Sequence, residues 1–89
     1  MIEILKFSRK TCVPCRVLSN YLGEIDLTEH NATLCEIDID DEPTAIDTYK
    51  LGAVPTLVIK RNGVEITRFT GLRGTDEIIS AIEYAKEAR

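Results

Sequence analysis

The chain has 89 residues, 44% of them hydrophobic, with 15 acidic against 11 basic side chains and a formal net charge of −4. That length suits one domain over residues 1–89 and leaves no room for a second, while the acid excess provides no footprint for nucleic acid. Charges interrupt the opening Met1-Ile2-Glu3-Ile4-Leu5-Lys6, so no apolar run reaches signal or membrane length, and a cytoplasmic monomer away from membranes is expected.

Ile2 to Phe7 reads as a strand with apolar residues on both faces, hence central in a sheet covered on both sides. Beyond Cys12 the spacing turns helical, with Leu18, Tyr21, Leu22 and Ile25 on one face and Gly23 interrupting the run. Ala32 to Ile39 reads as a second strand, with Cys35 packed in the core, and His30 beside Asn31 reads as a surface residue at a helix end. Asp38, Asp40, Asp41 and Glu42 lack the glycine and ligand rhythm of a calcium loop and read as a solvated turn. From that turn a helix is expected to run through Leu51 to a stop at Gly52.

Thr56 to Lys60 and Val64 to Phe69 are β-rich runs around Arg61-Asn62-Gly63, and Asn-Gly tolerates the positive φ of a tight hairpin. Thr75 to Lys86 reads as a last helix, with Ile78, Ile79, Ile82 and Ala85 inward and Asp76 and Glu77 in the first turn, where the helix dipole favours negative charge. The order is βαβαββα, an α/β fold. One right-handed βαβ crossover and a C-terminal hairpin give a four-stranded mixed sheet flanked by helices on both faces.

Three cysteines in a reducing compartment point to reactivity or metal binding before a disulfide scaffold. Cys12-Val13-Pro14-Cys15 falls where the first strand gives way to the first helix. Unpaired N–H groups and the positive end of the helix dipole stabilise a thiolate there, which makes Cys12 the nucleophile. Cys15, one turn on, is placed to resolve a mixed disulfide and leave an internal Cys12–Cys15 disulfide. Pro14 fits the first helical turn, where no intrahelical N–H is needed, and stiffens the loop; Lys10 and Arg16 add positive charge nearby.

The C-x-P-C motif at this junction, Ile39-Asp40 before Pro43, Tyr49 before Gly52, Val54-Pro55-Thr56, the Lys60-Arg61-Asn62-Gly63 hairpin and Gly71 before the last helix together resemble the thioredoxin family over nearly the whole chain. The resemblance implies a minimal thioredoxin fold without the strand and helix that usually precede the catalytic strand. It implies a protein-disulfide reductase with no bound cofactor, whose electrons come from NADPH through a thioredoxin-reductase-like flavoprotein and go to disulfide-containing proteins. It also implies a cis bond before Pro55, with Val54 offering its backbone to an extended substrate.

Thr11 and Val13 replace the family's usual Trp and Gly, which leaves substrate preference and redox potential open. Lys6 and Glu36 stand where the family carries a buried Asp and a Lys, so the pair reads as kept with its ends exchanged. Lys6 is then expected beneath Cys15, tuning the thiols by charge attraction. The alternatives are a glutathione-recharged, glutaredoxin-like reductase, a thioredoxin-like binding module, and a half zinc site lacking its second ligand pair.

Overall fold

Strand-forming and helix-forming segments alternate as β1 (Ile2–Ser8), α1 (Val13–Gly23), β2 (Ala32–Asp38), α2 (Thr44–Thr48), β3 (Thr56–Arg61), β4 (Val64–Thr70) and α3 (Thr75–Glu87) in a computed structural model that describes residues 1–88. The sheet runs β2-β1-β3-β4, with β2 parallel to β1 and the remaining neighbours antiparallel. This is the expected four-stranded mixed sheet, and β1 is central in it.

Alternation along β1 decides the two layers. Ile2 and Ile4, with Leu57 and Ile59 beside them on β3, pack against Leu18 and Leu22 of α1 and Ile78, Ile82 and Ala85 of α3. Leu5 and Phe7, with Val58, turn to the opposite face and meet Ile39 and Ala45, and the Phe7 ring lies 4.8 Å from that of Tyr49. Each buried Leu, Ile, Val or Phe side chain among these contributes about 1.5–3 kcal/mol. The hairpin closes through Asn62 at φ 51° and Gly63 at φ 84°, the left-handed pair that matches the twist of the flanking strands.

Three local expectations are corrected. The second helix stops at Thr48 rather than Leu51, because Lys50 takes φ 53° and the N–H groups of Leu51 and Lys50 return to the carbonyls of Ile46 and Asp47. That is a Schellman ending built on a lysine, with no need of Gly52. His30 does not end α1, which finishes at Gly23; it sits in a separate turn closed by Asn31, with Nδ1 3.0 Å from Glu83. Cys35 is exposed rather than core. It shares the Leu5 and Phe7 face, but β2 is an edge strand and the five-residue α2 packs near Phe7, leaving Cys35 uncovered.

Candidate active site

The redox pair is set by the way α1 begins. Cys12 is the N-cap, in extended backbone conformation at φ −142° and ψ 102°, and its sulfur accepts the Cys15 N–H at 3.2 Å. A sulfur thus takes the place of the usual Ser or Asp oxygen at an otherwise orphaned donor. Val13 and Pro14 occupy the first helical turn, where Pro14 removes no intrahelical bond. Cys12 and Cys15 are joined in a disulfide with their Cα atoms 5.2 Å apart, and both are buried.

Thr11, Val13 and Pro14 surround the pair as exposed residues, and the Val13 side chain is a prominent apolar point on this surface. The Val54–Pro55 bond is cis, with Pro55 buried and Val54 half-buried. Gly71, at φ 95°, donates its N–H to the Pro55 carbonyl at 2.8 Å, so the start of the last loop braces the proline loop. Val54 and Arg9 line one cavity of about 200 Å³ with Ile39, Ile46 and Leu51, which brings the proline loop to the segment leading into Cys12.

Beneath the helix, Lys6 is buried and its ammonium lies 3.5 Å from Glu36, directly across from it in the parallel β1–β2 register. Lys6 does not meet Cys15 itself. Its ammonium donates to the Ser19 hydroxyl, which in turn donates to the Cys15 carbonyl at 3.2 Å. Sequence reasoning missed Ser19, although its place four residues after Cys15, on the same helical face, was a usable signal.

Lys10 adds less to the site than its position suggests. It is drawn off to Asp38 at 3.0 Å and Asp41 at 2.8 Å, while Arg9 reaches Asp40 at 3.5 Å. These bonds hold the Lys10 ammonium well above its ordinary range and the Asp38 carboxyl below the ordinary carboxylate range. The acidic turn is therefore ion-paired to the loop that leads into Cys12. Arg16 is exposed on α1.

Among the described residues no three His, Cys, Asp or Glu side chains converge as a metal site, and no helix is long and apolar enough to cross a membrane.

The thioredoxin family model matches residues 2–84. A thioredoxin of Chlamydia trachomatis serovar D is 29% identical over 81 residues, covering 91% of this chain and 79% of the relative. An H-type thioredoxin of Fagopyrum esculentum is 32% identical over 79 residues, covering 89% of this chain and 67% of its own. A solved structure of a mutant thioredoxin from Halobacterium salinarum NRC-1 matches with a TM-score of 0.86 at 27% identity, covering 99% of this chain and 77% of that one. A family match over most of the chain and a disulfide capping the first helix lead to one conclusion: the chain belongs to the thioredoxin family and is a protein-disulfide oxidoreductase.

Proposed function

We propose that the chain works as a reductase of protein disulfides, as a cytoplasmic monomer with no bound cofactor. In the reduced protein the Cys12 thiolate attacks a substrate disulfide, forming a mixed disulfide and releasing the first substrate sulfur as a thiolate that takes up a proton. Cys15, deprotonated, then attacks Cys12 Sγ; the second substrate sulfur leaves, and Cys12 and Cys15 are left as the disulfide. Two electrons have passed to the substrate.

The observation that carries this assignment of roles is the Cys12 sulfur at the N-cap, accepting the Cys15 N–H. The same donor and the helix dipole favour Cys12 as a thiolate, and the more deeply buried Cys15 is the partner that need only reach Cys12. Thr11, Val13, Val54, Pro55 and Gly71 form the proposed substrate contact, with an extended segment pairing along Val54. An NADPH-dependent flavoprotein reductase is the proposed electron source. An exposed, unpaired Cys35 suits a reducing compartment.

Reduction of insulin disulfides by the wild-type chain, coupled to a thioredoxin reductase and NADPH, tests the reading. Cys12→Ser is expected to fall to the uncatalysed rate, and Cys15→Ser to trap a mixed disulfide visible by mass. Insulin turnover by Cys12→Ser at the wild-type rate would remove Cys12 from the chemistry, and partner function undiminished in Cys12→Ser would place the function in surface binding instead. Recharging by glutathione and not by the flavoprotein would overturn the electron source.

A further inference from the structure

A lysine ammonium buried under a helix that carries the reacting sulfurs requires an account. The Lys6 side chain is 4% exposed, and that of its carboxylate partner Glu36 is 55% exposed. The two charges are therefore not equal in effect. Water screens the Glu36 carboxylate, whereas the Lys6 ammonium acts through protein, where a charge is felt several-fold more strongly at the same distance. The less screened of the two charges beneath α1 is therefore the positive one.

The geometry couples that field to the sulfurs. Lys6 donates to Ser19 Oγ, and the single Ser19 hydroxyl proton goes to the Cys15 carbonyl, so the hydroxyl accepts from one and donates to the other. The ammonium is thereby fixed to the active-site helix one turn after Cys15, and its positive charge adds to that of the helix's N-terminal end.

We propose that Lys6 and Ser19 are positioning residues that set the redox balance of the Cys12/Cys15 couple, with Glu36 as the opposing charge at the sheet edge. Reducing the disulfide adds two electrons and creates sulfurs that can ionise, while the oxidised pair carries no charge. A buried cation beneath the helix favours the reduced form and makes the chain a stronger oxidant than the same site without it; a carboxylate on Glu36 offsets part of that. This rests on the Cys12/Cys15 cycle proposed above.

The test equilibrates the full chain with glutathione buffers, in which two glutathione thiols are oxidised to one glutathione disulfide as Cys12–Cys15 takes up two electrons and two protons. The fraction reduced is read by thiol alkylation. Lys6→Met is expected to shift the equilibrium about tenfold toward the disulfide, which is about 30 mV for a two-electron couple. Glu36→Gln is expected to shift it the opposite way by a few-fold. Ser19→Ala is expected to shift it in the Lys6→Met direction, by less, and Lys6→Arg to stay nearer wild type than Lys6→Met.

Opposite signs for Lys6→Met and Glu36→Gln are what an electrostatic role requires, whereas lost packing would not give them. Equal potentials, or shifts of the same sign, overturn the proposal. Should Lys6→Met not fold, the half-exposed Glu36 position decides alone: an unmoved potential in Glu36→Gln overturns it. A wild-type chain with no reversible couple would overturn the redox cycle as well, so the two failures are distinguishable.

Discussion

Lys6 and Phe7 are neighbours in β1, point to opposite faces of the sheet and are both buried, yet one carries a charge and the other a ring. On the Lys6 side two long helices cover the sheet, and the cluster of Ile4, Leu18, Leu22, Ile59, Ile78 and Ile82 fixes α1 and its cysteines. On the Phe7 side the cover is thinner: the short α2 and the segment after it, with Tyr49, Leu51 and Val54 only partly buried. Each half of the active site thus rests on a different core. The thick layer holds the reacting sulfurs and shields a buried ammonium, and the thin layer holds the proline loop proposed to meet the substrate.

The largest effects expected from breaking this division come from its two anchors. Phe7→Ala should cost about 3–5 kcal/mol and Leu18→Ala about 2–5 kcal/mol, read from urea midpoints. Hydrogen exchange sharpens the point: Phe7→Ala should loosen amides from Thr44 to Val54 first, and Leu18→Ala those of α1. Uniform loss of protection in both variants would show one cooperative core instead of two supports.

A smaller effect is expected where the proline loop is braced. Gly71→Ala places a Cβ on a residue at φ 95° and should cost roughly 1–2 kcal/mol, measured by thermal or urea unfolding. Because the Gly71 N–H holds the Pro55 carbonyl, turnover should fall more than global stability alone requires.

The smallest effect lies at the ion-paired turn and depends on pH. The Asp38 carboxyl is depressed chiefly by its hydrogen bond to Lys10, from an ordinary value of 3.8, so its contribution is present above that value and lost as pH falls through the lower folded-state value. Lys10 is raised, mainly by its bonds to Asp41 and Asp38, so its share is present below its ordinary value of 10.5 and lost only in strong alkali. Lys10→Met should therefore lower stability at neutral pH and converge with wild type at strongly acid pH. Parallel curves down to the lowest pH would show that the pair contributes nothing.

How far this molecule could be read in advance differed from one residue to the next. Asn62-Gly63 announced its hairpin because the requirement for positive φ is local to two residues. The C-x-P-C motif announced a helix start for the same reason: the cap, the proline position and the spacing all lie within one turn. The end of α2 is not legible in the sequence, because Lys50 adopts a conformation usually left to glycine, held by backbone bonds to Asp47 and Ile46 and by Leu51 and Ile46 packing on the Phe7 cluster. Lys6 and Glu36 were legible as a pair, but not the path through Ser19, since a strand residue and a helix residue thirteen positions apart meet only after the crossover packs down.

The sequence by itself determined the order of the elements, the faces that its apolar residues seek and the position of two cysteines at a helix start. These are consequences of periodicity and local backbone preference, which act over a few residues. Tertiary structure alone decided that Cys35 is exposed, that Lys10 is held by the acidic turn, and that Lys6 is buried while its partner Glu36 is open to solvent. Alternation tells which face of a strand a side chain occupies; only the assembled sheet, with β1 central and β2 at the edge, tells whether anything covers that face.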